Sequence, residues 1–546
     1  MQNINKYLLT ALLLAGIFTS CKKKIDEAYL NPNAPTTVTV EVALPPIISS
    51  MIGNSAGHGA INDARFAGSY VQYWGNSVQS TTENSTSQYD RMGGTSGASD
   101  NAASQWRSHY YDIGQNCMNM IEQAKQQEKW DYVGVGQAIF AWSWLQLTDY
   151  HGEVILKDAF NVKLFTFKFD KEEDVYLFVR NLCKEALVNL SKTGSNVSQA
   201  NLAKGDAFLY NGDVNKWKKF VNAVLARTYL HLSNKSNFVS LYADSVIYYA
   251  DRSIITNADN PLVKFSATGI SANSNFFGPF RNNISGLRQG KYIADMMSGR
   301  LTVFNGVSDP RAWYILKRNL NNTFLGVPIY RGITGISSAN DRPLNFWGGS
   351  SASTTAPVLD TGCTYIFRNA APMPVITASE VLFMKAEAAF KKGDKSTAHT
   401  AYSEAIKLNF DMLMNDYAQN IIPGRELNIA KRDAHLANPN VVPTIANLTL
   451  SHIMMQKYIA LYGYGALETW VDMRRYHYTD VDNALQVYRD FIVPTGTDLY
   501  PNNNGKLVYR VRYRYNSEYV WNLDEIKRLG ADAIDWHTKE TWFSKP

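Results

Sequence analysis

The sequence contains few of the residues that build metal centres and disulfide frameworks. Its 546 residues include only 4 cysteines and 9 histidines. Three of the cysteines follow the N-terminal region, an odd number that allows at most one internal disulfide, and their spacing fits no zinc motif. We therefore predict that Cys117, Cys183 and Cys363 are small buried residues, and the sequence predicts neither a metal ion nor another cofactor.

Charge of one sign is not in large excess, and long apolar runs are scarce. The chain has 54 Lys and Arg residues against 48 Asp and Glu residues, a formal net charge of +6. A nucleic-acid-binding protein would show a concentrated basic face, so we predict no nucleic-acid partner. The apolar run from Tyr7 to Phe18 is shorter than the roughly 20 residues that a membrane-spanning helix needs.

This N-terminal run is typical of a secretory signal. Lys6 supplies the positive flank, and two small residues lie between the apolar run and Cys21. The order resembles the bacterial lipobox, in which the cysteine becomes the lipidated first residue of the mature chain. We predict a signal peptide over residues 1–20, lipidation of Cys21 and a flexible tether over residues 21–40. The alternative is an ordinary cleaved signal followed by a stray cysteine.

Aromatic side chains are abundant, and many of them fall on helical stripes. The chain has 32 Tyr, 24 Phe and 12 Trp residues. Because Tyr and Trp combine a flat apolar face with a polar tip, they suit both a core and an exposed binding platform. Residues 131–150 and 213–233 repeat such residues at a spacing of three and four, which predicts amphipathic helices. Asp213 is placed to cap the second helix.

Residues 377–409 are typical of a helical hairpin. Thr377 and Glu380 have the spacing of a capping box, and Gly393 suits the position after a helix end. Asp394 then begins a second helix that has Ala and aromatic residues at helical spacing. Two short helices joined by a tight Gly-Asp turn resemble a tetratricopeptide unit.

A last long helix is predicted over residues 447–476, and it carries the densest charged cluster. Asp472 and Arg475 are neighbours three residues apart, and Glu468 lies two turns from Arg475. Because buried charges shift pKa values, such a cluster is a candidate catalytic site. We favour a structural salt-bridge network, since the cluster lies on a regular helix.

Long polar loops separate the helices. Residues 75–104, 265–290 and 332–372 are rich in Ser, Thr, Gly and Asn. Loops of this length in a compact protein are usually functional or disordered, and the aromatics within them argue against simple linkers. Near the C-terminus, residues 506–515 alternate between apolar residues and arginines, which predicts a half-exposed strand with a solvated charged face.

Seven stretches of the chain, in order, resemble the SusD/RagB outer-membrane lipoproteins of Bacteroidetes. Any one of them could arise by chance, but seven in the family's order are specific, and they run nearly from end to end. They are the lipobox at Cys21, YDIGQNCMNMIEQAK (111–125), QAIFAWSWLQLTDYHGEV (137–154), LYNGDVNKWKKFVNAVLARTYLHLS (209–233), SDPRAWY (308–314), TASEVLFMKAEAAFKKG (377–393) and QKYIALYGYGALETWVDMRRYHY (456–478).

The resemblance implies a fold class and an architecture. The fold would be mainly α, with tetratricopeptide-like helix pairs that form a scaffold packed against an irregular loop-rich lobe with a few short strands. The SusD-like domain would cover residues 41–546. Its helical scaffold would occupy approximately residues 100–260 and 375–480, and its loop-rich ligand lobe approximately residues 41–100, 261–374 and 480–546.

The resemblance also implies a role in nutrient capture, without catalysis. SusD-like proteins are lipid-anchored at the outer membrane, bind a nutrient, commonly an oligosaccharide, and act as the lid of a SusC-like TonB-dependent transporter. We therefore expect a surface-exposed oligosaccharide-binding lipoprotein whose partner is such a transporter, and not an enzyme. The first alternative is a binder of peptides or other non-glycan nutrients in the same kind of complex.

The loop aromatics are the predicted ligand-binding residues. Sugar rings lie flat on aromatic faces, and neighbouring amide or guanidinium groups can bind the hydroxyls. The family has no fixed binding motif, and packing against the scaffold is at least as frequent a role for such residues. Phe276 and Phe277 are candidates for contact with the transporter. The predicted ligand-binding residues are Tyr73, Trp74, Asn76, Arg91, Phe346 and Trp347.

Two alternatives from other functional classes remain open. The stretch GNSAG (53–57) matches the nucleophile elbow G-x-S-x-G, so the chain could be a secreted serine hydrolase that uses Ser55. The double proline upstream does not suit the strand that this motif needs. The other alternative is a purely structural helical-repeat scaffold that binds no small ligand.

Overall fold

Helices make up most of the regular structure of this protein. The computed structural model describes residues 38–53, 60–78, 103–267, 273–328, 330–349, 357 and 359–546. A π-helical segment, Ser108–Gln115, joins the α-helices Ser104–Arg107 and Asn116–Gln126. The α-helices are α1 Val40–Met51, α2 Ala60–Tyr70, α3 Ser104–Arg107, α4 Asn116–Gln126, α5 Trp130–His151, α6 Glu172–Asn189, α7 Gln199–Ala203, α8 Val214–Leu230, α9 Phe238–Leu241, α10 Ala243–Ala250, α11 Lys291–Met297, α12 Ala312–Ile315, α13 Ala378–Lys391, α14 Lys395–Asp416, α15 Ile429–Leu436, α16 Leu450–Ala460, α17 Ala466–Arg475 and α18 Leu523–Leu529.

The strands are short and form two-stranded antiparallel pairs. Strand β1 pairs with β3, β2 with β4, and β5 with β6. The first two pairs connect parts of the chain that lie far apart in sequence, so they tie the loops to one another. The strands are β1 Trp74–Asn76, β2 Leu262–Val263, β3 Leu287–Gln289, β4 Met373–Pro374, β5 Val481–Asp482 and β6 Leu485–Gln486.

The central helices pack in succession, each against the next. Helix α4 packs on α5, α5 on α6, and α6 on α8. The series continues through α10 to the hairpin of α13 and α14, and α13 also packs on α16. This is the tetratricopeptide-like arrangement expected from the sequence. The prediction of a mainly α fold with a few short strands is therefore confirmed.

Local sequence signals fix where several of these helices begin and end. The Asp213 carboxylate accepts hydrogen bonds from two backbone N–H groups in the first turn of α8, as predicted. The Thr377 hydroxyl accepts from the Glu380 N–H at 3.1 Å, and Gly393 ends the hairpin turn with a φ of 82°. The predicted capping box forms only in part, because the Glu380 carboxylate instead binds Arg227 at 2.6 Å.

The apolar stripes predicted for α5 and α8 lie in the core. Trp217, Phe220 and Val224 of α8 are buried, and α5 is covered along almost its whole length. Burying one large apolar side chain contributes about 1.5–3 kcal/mol, so these two helices account for much of the packing of the scaffold. The three cysteines Cys117, Cys183 and Cys363 are buried free thiols, as predicted.

The predicted last helix over residues 447–476 is in fact two helices. Helix α16 ends at Ala460, and α17 begins at Ala466. Gly463 between them has a φ of 93°, which interrupts a right-handed helix. A Cβ at this position would lie 3.0 Å from Cε1 of Phe367. The break therefore depends on a glycine that lets the chain turn closely past a distant loop.

The predicted half-exposed strand over residues 506–515 is also wrong. The segment is extended, but the Val511 N–H donates to a carbonyl of α5 at 2.7 Å and not to a neighbouring strand. Two of its three arginines are buried: Arg510 pairs with Glu153 at 2.6 Å, and Arg512 donates to a backbone carbonyl of the C-terminal segment. The charged face is not solvated because other parts of the chain cover it.

A buried ionic network joins α13, α16 and α17. Arg475 binds Glu387 of α13 at 2.5 Å and also binds Asp472. Lys457 of α16 binds Asp472 at 2.7 Å and lies 3.7 Å from Glu468. These contacts connect the charged cluster of α17 to its neighbours on two sides. They confirm the interpretation of that cluster as a structural salt-bridge network.

His231 extends this network to the end of α8. Its Nε2 lies 3.1 Å from Glu468 Oε1, and its Nδ1 lies 3.4 Å from Asp149 Oδ2. Burial alone would lower the pKa of His231, but the two carboxylates outweigh burial and raise the pKa to about 9. A raised pKa adds stability that is fully present below the ordinary histidine value and is lost as the pH rises through about 9.

We therefore expect the free energy of unfolding to fall by roughly 3 kcal/mol between about pH 6 and pH 10 through His231 alone. Urea denaturation at a series of pH values measures this, with His231→Gln as the variant that removes the titration. Burial raises the pKa of Glu172 to about 8, so ionisation of Glu172 also lowers the free energy of unfolding as the pH rises, over a lower pH range. The quantity to compare is therefore the difference in free energy of unfolding between the parent and the variant at each pH. An identical pH slope in both proteins would contradict the assignment.

Candidate functional site

Four of the predicted binding aromatics lie inside the protein. Tyr73, Trp74, Phe346 and Trp347 are each at most 4 % exposed. The polar tips of Tyr73, Trp74 and Trp347 donate to backbone carbonyls at 2.5, 2.8 and 2.9 Å. None of the four rings has an open face on which a sugar could stack. In this structure they have packing roles, and direct ligand contact would require them to be uncovered.

The remaining predicted positions have other locations. Asn76 is half-buried at the end of β1, where it pairs in register with Leu287 of β3. Phe276 and Phe277 are buried, so they do not present the surface that was proposed for a transporter contact. The other predicted positions, Arg91 in the ligand site, Ser55 of the hydrolase alternative and the lipidation residue Cys21, lie outside the described residues.

The buried rings form one aromatic cluster that fixes the loops. We define this cluster as Tyr73, Trp74, Phe277, Phe346 and Phe367. The ring of Phe277 lies between those of Trp74 and Phe367, with centroid distances of 5.9 and 4.8 Å. Tyr73 extends the contacts to α16 through a ring 4.5 Å away. The loop backbones next to Phe277 and Phe367 are therefore held firmly against the helical scaffold.

A groove opens at the surface beside these loops. One cavity of about 530 Å³ is lined by the segment after β2, by the loop that contains Tyr365 and by the end of α14. A second cavity of about 360 Å³ shares Lys264 and Phe265 with the first. We call the two together the loop groove. The aromatic side chains of the larger cavity are Phe265, Phe280, Tyr365 and Tyr417.

Several polar side chains of the loop groove have no partner among the described residues. The side-chain amides of Asn415, Gln419 and Asn420 make no hydrogen bond to any residue in the described ranges. Each amide offers two donors and an acceptor. Arg368 instead stacks on Tyr365, with Cζ 4.4 Å from the ring centroid, and donates to the Asn420 carbonyl at 3.2 Å. The groove thus combines a fixed wall with amides that are free to bind a ligand.

The loop groove also contains charges of both signs that form no ion pair among the described residues, and Lys264 and Asp416 are two of them. Burial raises the pKa of Asp416, and the charge of Lys264 opposes that shift. Lys264 is exposed, and Asp416 is half-buried. Among the described residues, no histidine or cysteine lines either cavity, and no group of three or more metal-ligating side chains occurs. The chemistry of these walls suits binding by hydrogen bonds and stacking.

A third cavity, of about 500 Å³, provides a contrast. It lies between α11 and residues 490–498. Both of its arginines are already paired, since Arg300 binds Asp295 at 2.7 Å and Arg331 binds Asp498 at 2.8 Å, and its Asp490 carboxylate accepts hydrogen bonds from Thr302. This cavity therefore offers a ligand fewer polar side chains without a partner in the described structure than the loop groove does.

The sequence analysis located the two loops of the groove but missed its third wall. Residues 265–290 and 332–372 were predicted to be functional, and parts of both line the groove. Residues 415–420, NDYAQN, were missed because they form the end of helix α14 and the turn after it. The signal that could have found them is the concentration of three amide side chains around a helix end.

Comparison with known proteins identifies the family. The family model described as "Starch-binding associating with outer membrane" matches residues 32–501. The chain belongs to the SusD-like family. This confirms the resemblance found in the sequence and places the chain in a family described as starch-binding and associated with the outer membrane. In the described ranges, no helix of this SusD-like protein is both long and apolar enough to cross a membrane.

Solved SusD-like structures share the fold over nearly the whole chain. A SusD/RagB family protein from Bacteroides thetaiotaomicron is 20% identical with a TM-score of 0.70, covering 93% of this chain and 99% of that chain. A SusD homologue from Bacteroides fragilis is 20% identical with a TM-score of 0.65, covering 93% and 100%. A chitin-binding SusD homologue from Flavobacterium johnsoniae is 16% identical with a TM-score of 0.64, covering 92% and 98%. No curated protein matches the sequence.

Proposed function

We propose that this SusD-like protein captures an oligosaccharide in the loop groove and delivers it to a SusC-like TonB-dependent transporter, for which it acts as the lid. It does so as a surface-exposed lipoprotein anchored through Cys21, and it catalyses no reaction. The observation that carries the proposal is the set of unpartnered amides beside aromatic rings in a cavity of about 530 Å³.

The walls of the groove match the chemistry of sugars. Phe265 and Phe280 are half-buried, so each ring keeps part of its surface for the C–H face of a sugar. The amides of Asn415 and Gln419 can exchange hydrogen bonds with hydroxyl groups. Both cavities fall within the size range of about 300–1,000 Å³ that is usual for ligand sites. The chitin-binding relative with the same fold favours a glycan as the ligand class.

Isothermal titration calorimetry tests this proposal directly. The soluble chain that begins at Lys22 is titrated with starch-derived and chitin-derived oligosaccharides and with short peptides. We expect one class of glycan to bind and the peptides not to bind. Lys264 and Asp416 could match the termini of a short peptide, so binding of peptides alone would favour the peptide alternative. Absence of binding to every oligosaccharide would contradict the proposal.

A double variant, Asn415→Ala with Gln419→Ala, should weaken binding of that glycan by about tenfold. Each lost hydrogen bond removes about 0.5–1.5 kcal/mol, and roughly 1.4 kcal/mol corresponds to a factor of ten. Stability should change by less than about 0.5 kcal/mol, because neither amide has a partner in the described structure. Asn215→Ala, at an exposed position on α8, is the matched control and should leave affinity unchanged. Equal affinity for the parent and the double variant would place the site elsewhere.

A further inference from the structure

Four neighbouring cations, of which Arg368 lines the loop groove, have no carboxylate partner among the described residues. Lys317, Arg318, Arg368 and Arg425 form no ion pair within the part of the chain that the structure describes. Arg368 is buried, and the other three are half-buried. The hydrogen bonds that Lys317, Arg318 and Arg368 donate go to neutral acceptors, so no negative charge within the described structure compensates these partly buried cations. We call these four residues the cationic rim.

Two members of the cationic rim are attached to the groove wall itself. Arg368 and Tyr365 line the larger cavity and stack on each other. The Lys317 ammonium donates to the carbonyl of Gly362, three residues before Tyr365. Both cations therefore border the same turn of the loop.

The side chain of Arg425 lies close to this turn. Its Cζ lies 4.3 Å from the ring centroid of Trp313. The ring of the next residue, Tyr314, lies 4.9 Å from the ring of Tyr365. Arg318 is close enough to Arg425 for its charge to lower the pKa of Arg425, in addition to the effect of burial.

Repulsion within the cationic rim is not relieved by nearby acids. Burial lowers the pKa of Lys317 to about 8, and the charges of Arg318, Arg368 and Arg425 act in the same direction. Asp360, on the same loop, accepts the backbone N–H of Asn369 at 2.9 Å and forms no ion pair in the described structure. Glu426 is exposed and likewise forms none. In the cavity beside α11, by contrast, Arg300 and Arg331 are paired with aspartates.

We propose that the oligosaccharide captured in the loop groove is acidic, and that its carboxylate or sulfate group binds at the cationic rim. This inference rests on the proposed function and adds the substrate class. An anion at this position would accept charge-assisted hydrogen bonds from Arg318 and Arg425, and it would relieve the repulsion among the four cations. The neutral part of the sugar chain would lie against the amides and aromatic rings of the groove.

Calorimetry with matched pairs of oligosaccharides tests the inference. The probes are oligogalacturonate with its neutral methyl ester, and oligomers of chondroitin sulfate with their desulfated form, each at low and high salt. We expect at least one acidic member to bind about tenfold or more tightly than its less charged counterpart, and the advantage to shrink in high salt. The two pairs distinguish a carboxylate from a sulfate as the recognised group.

The double variant Arg318→Gln with Arg425→Gln locates the effect. It should remove the roughly tenfold preference while leaving the affinity for the less charged probe unchanged. Arg331→Gln removes a cation that is paired with Asp498 and should change neither affinity. A preference that survives the double variant, or equal binding of both members of every pair, would overturn the inference alone. Failure of all neutral and acidic oligosaccharides to bind would overturn the proposed function and the inference together.

Discussion

Replacing Arg475 by methionine should lower the free energy of unfolding by about 3–5 kcal/mol. Methionine keeps most of the length of the side chain and removes the charge. Arg475 and Glu387 are both fully buried and joined by contacts of 2.5 and 3.0 Å. Without Arg475, the Glu387 carboxylate would remain buried and would lose the partner that holds its pKa at about 2. Chemical denaturation at neutral pH measures the effect.

An exposed ion pair provides the control for Arg475→Met. Lys407 and Glu404 lie 2.8 Å apart on the surface of α14, and both are partly exposed. Because exposed pairs contribute about 0–1 kcal/mol, Lys407→Met should be nearly neutral. Adding Glu387→Gln to Arg475→Met should recover part of the loss, since the uncompensated charge is then absent. Equal, small effects of Lys407→Met and Arg475→Met would contradict a structural role for the network.

Trp74→Ala should lower the free energy of unfolding by about 3–5 kcal/mol, because it leaves a large cavity in the aromatic cluster. The Trp74 ring is buried, and its Nε1 donates to the Arg65 carbonyl at 2.8 Å. A Cβ on Gly68 would lie only 2.3 Å from Cε2 of this ring. The ring therefore fills a space that the chain has shaped around it. Urea denaturation and ligand titration of the same variant separate the effects on stability and affinity.

Trp521→Ala is the matched control, because Trp521 is 73% exposed. It should change stability by less than about 0.5 kcal/mol. If Trp74 were a stacking platform, Trp74→Ala would abolish ligand binding with little effect on stability. That result would restore the role predicted from the sequence and contradict the packing role found in the structure.

The elements that the sequence predicted well are those set by local signals. The helices α5 and α8 and the hairpin of α13 and α14 follow from apolar spacing, a capping residue and a glycine turn, all within a few residues of one another. The two errors in secondary structure depend on distant contacts. The break after α16 depends on the close approach of Gly463 to Phe367. The extended segment around Arg510 is held in the interior by the ion pair of Arg510 with Glu153.

The same distinction explains the outcome for the candidate site. An aromatic residue in a long loop can pack or bind, and the choice depends on which other loop covers it. Trp74 is covered by residues more than two hundred positions away, such as Phe277, whereas Phe265 keeps part of its ring open to the groove. Composition and spacing do not contain that information. The amides around the end of α14 follow no binding motif, so only their position in the folded chain indicates a role.

A crystal structure of the soluble chain with the oligosaccharide that binds in calorimetry would show whether the loop groove is the binding site. We expect sugar rings against Phe265 and Phe280, with hydroxyl groups within hydrogen-bond distance of the Asn415 and Gln419 amides. Oligosaccharide density in the cavity beside α11, or on an uncovered Trp74 ring, with the loop groove empty, would contradict it.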